Sequence, residues 1–521
     1  MITLESYLGG AWVAGTGEGT VLFDPTTETP IAVARTAGLD LPAALEFGRS
    51  VGGPALRAAS FAQRGAWLDA LTKTLHARRD ALLDCSVATC GTTRSDAKFD
   101  VDGAIGTLAT YAALGKKLGE TTTLLEPFEA LTKSARFMGA HAWTSRPGVA
   151  LHINAFNFPS WGLGEKLAVA ILAGVPVVSK PTTSTALLAF RVAQAIVESG
   201  ALPPGAFQFI AGSVGDLVDH LGPQDVLAFT GSADTGAKLR RSRAVVERSV
   251  RVNIEADSLN SAVLAPDVEA GSDVYQTFLR DLSREITQKT GQKCTATRRV
   301  FVPRALLDRV QEDLVELVSA VRVGDPSRDD VRMGPLATRQ QRDDYRAGIE
   351  KLVASGARIV FGSPTEVETL GTTEGRGYFA GVVLLRAEAP AQAAAVHAHE
   401  VFGPVATLMP YDDVSEAVAL VARGEGGLVC SLYGDDRALV RALVLGVAPW
   451  HGRVLLCSSK VADQSIPPGM VLPSCIHGGP GRAGGGEELG GERGLRFYMQ
   501  RTSIQADRAI LDRIFEAPSA G

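Results

Sequence analysis

The chain has 521 residues, of which 45% are hydrophobic and 21% are charged, the balance of a soluble globular protein rather than a disordered or fibrous one. Its length exceeds that of one compact core and predicts two or three domains. The net charge of -5 at pH 7 excludes the strong positive field expected of a protein that binds mainly nucleic acid or an anionic membrane.

The sequence shows no targeting or membrane-spanning segment. No apolar run is long enough to cross a bilayer, and residues 1–5 lack the basic start and apolar core of a secretory signal. The 6 cysteines form no CxxC pair, which disfavours both a disulfide framework and a zinc site. We therefore expect a cytoplasmic protein with reduced thiols.

In chain order, short apolar runs alternate with amphipathic stretches. Strands are predicted at 177–179, 207–211, 226–229, 298–302, 357–361, 405–409, 428–433 and 454–457. Helices are predicted at 186–198 (with Ser184 or Thr185 as its cap), after Ser232, and at 305–321, 415–423 and 437–447. This alternation indicates parallel sheets covered on both faces, so we expect an α/β protein with two doubly wound, Rossmann-like domains.

We place the domain boundary near residue 256. The first domain is predicted to comprise residues 1–119 and 144–255, and the second domain residues 256–465. An extended β arm is predicted at residues 120–143 and 497–505, and a glycine-rich segment at residues 466–496. The exposed edge of the arm would invite a second subunit, which predicts a homodimer. The glycine-rich segment should form a flexible or tightly turning loop, and a ligand should lie in the crevice between the domains.

Cys294 is the candidate nucleophile. It is flanked by glycine and small polar residues, so it should be accessible, and its thiolate would be the strongest nucleophile in the chain. The alternative is a structural cysteine in a loop. Four other cysteines lie in apolar or helical contexts and are expected in the core: Cys85, Cys90, Cys430 and Cys457. Cys475 lies in a loop, and its role is left open.

Two further segments carry candidate catalytic groups. Glu255 ends an apolar, strand-like stretch, where burial would raise the pKa of its carboxyl and let it act as a general base on water. Asp257 is a weaker candidate for the same task, and a surface acid at a strand end is the alternative. Asn157, held between aromatic residues and Pro159, could donate to a developing oxyanion or simply satisfy a turn.

One pattern is typical of a cofactor site. Lys180 ends a strand, and Gly212, Gly215 and the Gly231-Ser232 turn allow close backbone approach and a helix N-terminus for phosphate. The usual GxGxxG and Walker A fingerprints are absent.

A possible metal cluster at His397, His399 and Glu400 is discounted. Neighbouring side chains on a strand would point to opposite faces, and no third ligand stands at suitable spacing. We expect no metal.

Together these segments resemble the aldehyde dehydrogenase family over nearly the whole chain. The matching motifs, in the family's order, are AFNFP around Asn157, Lys180-Pro181, Phe229-Thr230-Gly231-Ser232, Glu255, Gly291-Gln292-Lys293-Cys294 and Glu400-Val401-Phe402-Gly403-Pro404. The resemblance implies that Cys294 attacks an aldehyde, that Asn157 and the Cys294 N–H hold the oxyanion, and that hydride passes to a nicotinamide. Glu255 would then activate water to release the acid from a cysteine thioester. Glu488 matches a second acid that relays protons.

The same resemblance assigns a coenzyme site, most of whose residues lie in the first domain. Its residues would be Ile153, Asn154, Lys180, Thr182, Thr183, Gly212, Gly215, Phe229, Gly231, Ser232, Glu400 and Phe402. Many NAD-using members have a Glu three residues after the lysine, where Thr183 stands here. A carboxylate would repel a 2′-phosphate, whereas a hydroxyl can donate to it, so NADP is favoured and NAD is the weaker alternative.

The segments after Glu255 and from His477 to Gly491 resemble family members that oxidise CoA-linked semialdehydes in the aerobic breakdown of aromatic acids. We therefore expect oxidation of an aldehyde on a CoA thioester to a carboxylic acid. An acylating enzyme, in which free CoA takes the acyl group, is one alternative, and Glu255 argues against it. A cofactor-free cysteine hydrolase is another; it needs a histidine base, and neither His152 nor His399 lies in a recognisable pairing motif.

Overall fold

The computed structural model describes residues 1–134 and 136–515. Up to Glu255 the strands are β1 (Ile2–Leu4), β2 (Ser6–Leu8), β3 (Ala11–Val13), β4 (Thr20–Phe23), β5 (Pro30–Ala34), β6 (Leu124–Leu125), β7 (Glu129–Ala130), β8 (Phe137–Ser145), β9 (Ala150–Ile153), β10 (Val177–Lys180), β11 (Phe207–Phe209), β12 (Val226–Thr230) and β13 (Arg251–Glu255). The helices of this part are α1 (Leu41–Phe47), α2 (Gly53–Ala58), α3 (Phe61–Ala77), α4 (Arg79–Cys90), α5 (Arg94–Leu118), α6 (Trp161–Leu172), α7 (Ala186–Glu198), α8 (Ala233–Arg240) and α9 (Arg243–Arg248).

The remaining strands are β14 (Ser261–Leu264), β15 (Arg299–Pro303), β16 (Arg358–Phe361), β17 (Val383–Arg386), β18 (Val405–Tyr411), β19 (Gly427–Tyr433), β20 (His451–Cys457), β21 (Ile476–Gly478), β22 (Glu487–Leu489) and β23 (Met499–Asp507). The helices are α10 (Asp273–Thr287), α11 (Leu307–Ser319), α12 (Arg339–Ala354), α13 (Val414–Ala422), α14 (Arg437–Val447), α15 (Glu492–Phe497) and α16 (Arg508–Phe515). No helix in the described ranges is both long and apolar enough to cross a membrane.

The first large sheet has the strand order β13-β12-β9-β10-β11-β2-β3. Strands β9 to β13 are parallel, and β2 and β3 add an antiparallel edge. The chain enters the parallel part at β9 and then builds outward on both sides, which creates a topological switch point. Open α/β sheets bind ligands at the carboxyl ends of the strands there. Those ends carry Ile153, Lys180, Thr230 and Glu255.

The second large sheet has the order β16-β17-β18-β15-β14-β19-β20 and is parallel except for its edge strand β16. Buried apolar residues cover both faces of each sheet. The expected α/β fold with two doubly wound domains is therefore confirmed. The chain passes from one sheet to the other between Glu255 and Ser261.

Local structure departs from the sequence predictions at two helix starts. Helix α7 has the expected bounds, and Thr185, one of the two proposed caps, takes the N-cap position; its hydroxyl, however, donates to the carbonyl of Phe156 and makes no capping bond. The helix expected over 305–321 begins with a 3-10 turn, Arg304–Leu306, before α11.

The predicted arm forms a small sheet of its own. Strands β8 and β23 pair antiparallel along their whole length, from Met499 opposite Ser145 to Asp507 opposite Phe137. The expected pairing of the 120–143 region with a C-terminal strand is confirmed, although the second strand starts at Met499 because Phe497 ends α15.

We expect the buried carboxylate of Asp100 to be essential for holding α5 to α6. It accepts hydrogen bonds from the backbone N–H groups of Ser160 and Trp161, at 3.2 and 2.8 Å, which have no partner within their own helix. Asp100→Leu should lower the free energy of unfolding by about 2–4 kcal/mol, because two buried donors lose their acceptor. Urea denaturation would measure this. Asp102→Leu, on the same helix but in an exposed pair with Arg79, is the matched control and should cost far less; equal losses would contradict this role for Asp100.

Candidate active site

Two cavities meet at Cys294. The first, called here the interdomain cleft, has a volume of about 740 Å³ and lies at the switch point of the first sheet. The second, called here the inner cavity, has a volume of about 40 Å³ and is closed in by Phe99, Phe158 and Trp161. Asn157 also lines both, as do Thr230 and Glu255. A reactive group on Cys294 therefore faces ligands from two sides.

A buried ion pair and a hydrogen bond hold the loop that carries Cys294 in place. Lys293 pairs with Glu285 of α10 at 2.7 Å, and both side chains are essentially inaccessible to solvent. Asn260 donates to the carbonyl oxygen of Cys294 at 2.8 Å. The preceding Gly291 has a φ of +66°, and a side chain there would collide with the carbonyl of Gly403. The cysteine is thus placed by its neighbours rather than by a regular element.

The surroundings of the Cys294 thiol disfavour its thiolate form. Burial raises its pKa well above the ordinary value, and the negative charge of Glu255 raises it further. The accessible thiolate expected from the sequence therefore requires a proton acceptor nearby.

His477 lies beside the thiol, and the sequence reasoning did not single it out as a site residue. It lies on β21, and its Nε2 atom is 3.2 Å from Oε2 of Glu255 and 3.7 Å from Sγ of Cys294. Burial by itself would lower the pKa of His477, but the adjacent carboxylate of Glu255 produces a net increase. No spacing in the sequence links His477 to Cys294, because the two residues meet only through the fold.

The expectation that burial raises the pKa of Glu255 is wrong. Burial does act in that direction, but the charge and hydrogen bond of His477 and the charge of Lys166 outweigh it, so the pKa is lowered. Glu255 is a buried carboxyl group beside His477 and Lys166 rather than an isolated acid in an apolar pocket.

A second charged group adjoins the first and centres on Lys166. Its ammonium is 3.2 Å from both Glu165 and Glu488 and donates to the hydroxyl of Thr230 at 2.8 Å. Burial raises the pKa of Glu488 to about 8, against the charge of Lys166. The sequence did contain a signal for this group: Glu165 and Lys166 are charged neighbours in the otherwise apolar helix α6.

The glycine-rich segment brings His477 and Glu488 to the site. It turns tightly, as expected, between the paired strands β21 and β22. The N–H of Gly486 donates to the carbonyl of Ile254, and the N–H of Ala256 donates to the carbonyl of Ala483, both at 3.1 Å. A side chain at Gly486 would lie 2.5 Å from the Ile254 oxygen, so only glycine permits this contact.

Asn157 lies beside the nucleophile, as expected. Its Nδ2 atom donates to the carbonyl oxygen of Gln292 at 3.0 Å, which fixes the amide next to the cysteine loop. An amide nitrogen carries two hydrogens, so one remains for an oxyanion on a substrate bound to Cys294.

Most of the expected coenzyme-binding residues line the interdomain cleft; these are Ile153, Asn154, Lys180, Thr182, Phe229, Gly231, Ser232, Glu400 and Phe402. Thr183, Gly212 and Gly215 do not join that lining. Thr183 begins a 3-10 turn instead, and Gly212 packs towards Thr36. Second-domain residues that the sequence did not assign to the coenzyme site complete the wall, among them Gln341, Lys351 and His399.

The interdomain cleft fits a nicotinamide dinucleotide in size and donor set. Burial lowers the pKa of the Lys180 ammonium, and the buried Oδ1 atom of Asn154 has no partner within the described residues. Glu400 is held by the N–H of Ser258 at 3.0 Å and by Arg298 at 3.4 Å.

Asp257 is a helix cap rather than a second general base. Its carboxylate accepts from the N–H of Ala233 at 3.0 Å, at the start of α8. An anion of the protein therefore already occupies part of the helix N-terminus that would face a phosphate.

The expectation that His397 lies on a strand is wrong. His397 ends a 3-10 turn, Ala394–His397, and not a strand, and its ring bonds to Arg299 and to the carbonyl of Pro390. In the described ranges, donor atoms of three potential metal ligands converge only at Glu255, Cys294 and His477, within 4.8 Å of one another.

The buried charges around Lys166 predict a pH-dependent stability. In the variant Lys166→Met, Glu488 loses its cation, so burial raises its pKa further. Such a carboxyl binds its proton more tightly in the native than in the unfolded protein, so stability is greatest below the ordinary carboxyl pKa and falls as the pH rises. We expect a loss of about 3–5 kcal/mol near pH 8 and a smaller loss near pH 5, measured by denaturation. Lys73→Met, in an exposed pair with Asp69, is the control and should change little at either pH; a loss independent of pH would contradict the assignment.

The chain is similar to known proteins in both sequence and structure. A 3,4-dehydroadipyl-CoA semialdehyde dehydrogenase from Aromatoleum evansii is 45% identical over 482 residues, covering 92% of this chain and 93% of that protein. The NAD+ complex of an aldehyde dehydrogenase from Bacillus cereus superposes with a TM-score of 0.84 at 22% identity, over 97% of each chain. A 3,6-anhydro-L-galactose dehydrogenase in complex with NAP gives a TM-score of 0.83 at 20% identity, over 97% of this chain and all of that one.

The two structural likenesses show the fold, and the sequence comparisons show the family. The model of the aldehyde dehydrogenase family matches residues 12–504, nearly the whole chain. The resemblance inferred from the motifs is confirmed. The chain belongs to the aldehyde dehydrogenase family.

Proposed function

We propose that the protein oxidises a CoA-linked semialdehyde to the carboxylic acid with NADP, acting as a homodimer through the β8–β23 arm. The observation that carries the proposal is the position of Cys294 at the junction of the interdomain cleft and the inner cavity, with Asn157 and Glu255 lining both. A nucleophile, an oxyanion donor and a base around one point are what aldehyde oxidation through a cysteine thioester requires.

Each residue has a defined task in the proposed reaction. Sγ of Cys294 bonds to the aldehyde carbon, and the carbonyl oxygen takes the displaced electron pair and accepts a hydrogen bond from Asn157. A bound nicotinamide coenzyme supplies the hydride acceptor that turns the thiohemiacetal on Cys294 into a thioester. Glu255 accepts the proton of the water that hydrolyses the thioester, and Lys166 and Glu488 extend the path for that proton.

The preference for NADP rests on the segment after Lys180. Lys180 and Thr182 line the cleft, and the stretch 181–184 carries no carboxylate that would repel a 2′-phosphate. Among the solved relatives, one holds NAD+ and another NAP. The family accepts both coenzymes, so the segment after Lys180 is the feature that favours NADP here.

The CoA-linked substrate is supported by the printed activity of the Aromatoleum relative and by a third cavity, called here the arginine cleft. Its volume is about 900 Å³, and its guanidinium groups come from three separate elements: Arg94 of α5, Arg280 and Arg284 of α10, and Arg328 and Arg332 of the loop before α12. Arginine is the residue best suited to hold phosphate groups such as those of CoA.

Three of these arginines are available to a ligand. Arg94 pairs with Asp84, and Arg328 pairs with Asp330. Within the described ranges, Arg280, Arg284 and Arg332 make no ion pair. Most acids of the lining are engaged elsewhere; Asp24 and Asp325, for example, accept hydrogen bonds within their own turns.

The arginine cleft adjoins the inner cavity. Asp96 lines the cleft and Phe99 lines the cavity, one turn apart on α5. Gln288 also lines the cleft and accepts a hydrogen bond at 2.9 Å from Lys293, the residue before Cys294. In this arrangement the phosphates of a CoA thioester bind in the arginine cleft, and its acyl chain extends into the inner cavity towards Cys294.

We expect Arg284→Ala to raise the KM for a CoA-linked semialdehyde about tenfold or more, because a hydrogen bond to a charged group contributes about 1.5–3 kcal/mol. The KM for a free medium-chain aldehyde should not change, since that substrate has no phosphate. Steady-state kinetics with both substrates would measure this. Arg309→Ala, at an exposed pair with Asp313 on α11, is the control. An equal change for both aldehydes, or none for either, would exclude the arginine cleft as the CoA site.

A second candidate function is a cofactor-free cysteine hydrolase, and one observation favours it. The histidine base that such an enzyme needs is present at His477, 3.7 Å from the thiol of Cys294. The large interdomain cleft with its nucleotide-like donor set is unexplained by this alternative. The acylating alternative, with free CoA as acceptor, is disfavoured by the base at Glu255.

The proposed function is tested by following coenzyme reduction with a medium-chain aldehyde, first without free CoA. We expect NADP to be reduced faster than NAD, and Cys294→Ala to abolish reduction while coenzyme binding remains. Faster reduction of NAD would overturn the coenzyme preference only. Reduction that begins only when free CoA is added would establish the acylating enzyme. Hydrolysis of an activated acyl ester without reduction of either coenzyme would establish the hydrolase.

A further inference from the structure

We propose that His477 is a catalytic residue, the acceptor of the Cys294 thiol proton, and that it acts as one unit with Glu255. The proposal deepens the function proposed above, since it concerns the first step of the same reaction. It gives the imidazole a task that the family resemblance did not assign.

The geometry sets one nitrogen between two partners. Nε2 of His477 lies 3.7 Å from Sγ of Cys294, within reach of a thiol hydrogen bond, and 3.2 Å from Oε2 of Glu255. All three side chains border the inner cavity. A proton that leaves the thiol can therefore bind Nε2 and at once be shared with the carboxylate.

Backbone pairing, and not only the side-chain rotamer, places His477 beside Cys294 and Glu255. His477 is buried on β21, and its opposite residue on β22 is Glu488. The two strands are clamped to the end of β13, which carries Glu255, by the backbone contacts of Gly486 and Ala483. The imidazole has little freedom to leave Cys294.

The proposed step balances as a simple proton transfer. The Sγ–H bond of Cys294 breaks, sulfur keeps the electron pair, and the proton binds Nε2 of a neutral His477. The sulfur then uses that pair to bond to the aldehyde carbon. The imidazolium that results is stabilised by the carboxylate of Glu255, which stays ionised.

Relative basicity favours His477 over Glu255 as the acceptor. The neighbouring His477 and the charge of Lys166 lower the pKa of Glu255, so its carboxylate is a weak base for a thiol whose pKa is raised. The same carboxylate raises the pKa of His477, which brings the imidazole closer to the thiol in basicity.

The charged groups around the imidazole come from every element packed on it. Besides Glu255, they are Glu165 and Lys166 on α6, Arg453 on β20 and Glu488 on β22. The carboxylates favour the imidazolium, and Arg453 opposes it. The balance favours a protonated imidazole once the thiol has lost its proton.

The test measures thiol reactivity without aldehyde or coenzyme, so it does not depend on the proposed function being right. The full-length protein is treated with iodoacetamide from about pH 6 to about pH 9, and alkylation of the Cys294 peptide is followed by mass spectrometry. A chelator is present so that no metal ion blocks the thiol. We expect His477→Gln to react about tenfold more slowly than the wild type near pH 7, with the difference shrinking as the pH rises, because hydroxide then removes the proton.

Two controls separate this role from a structural one. His220→Gln makes the same change at a partly exposed histidine outside the site and should leave the whole pH profile unchanged. His477→Asn tests a second side chain that cannot accept the proton and should behave like His477→Gln, with coenzyme binding showing that both variants are folded. Equal alkylation rates of wild type and variants at every pH, or a difference that does not vary with pH, would overturn the proposal.

Discussion

The active site depends on the close approach of the glycine-rich segment to the end of β13. Gly484 and Gly486 both face the carbonyl oxygen of Ile254, at distances where any side chain would collide with it. This contact lets β21 and β22 lie against the first sheet, although they follow the second sheet in the chain. His477 and Glu488 reach Glu255 for that reason.

The contact brings several ionisable side chains together in the protein interior. Glu255, His477, Lys166 and Glu488 are all buried, and acidic side chains lie next to basic ones throughout the group. A buried ion pair contributes little to stability compared with apolar packing of the same volume. Its value here is chemical, because each member sets the pKa of the next, and the order of basicity around Cys294 follows from that arrangement.

Two cavities border Cys294, and a third lies near them. The interdomain cleft opens over the carboxyl ends of the first sheet, the inner cavity lies among aromatic side chains, and the arginine cleft lies one helical turn beyond it. Cys294 borders the first two but projects from a loop, so its position is set by Lys293, Glu285 and Asn260. A rigid support for a loop nucleophile allows ligands to enter from both sides without displacing it.

The sequence by itself determined the alternating elements and the family and predicted Cys294, Glu255 and Asn157 as site residues, because these depend on local period and short motifs. Only the tertiary structure decided the contacts between distant segments. His477 is nearly two hundred residues from its partner thiol, so no spacing could reveal the pair. The lowered pKa of Glu255 and the capping role of Asp257 have the same origin, since a pKa or a cap depends on which charge or N–H group folding brings within hydrogen-bond reach.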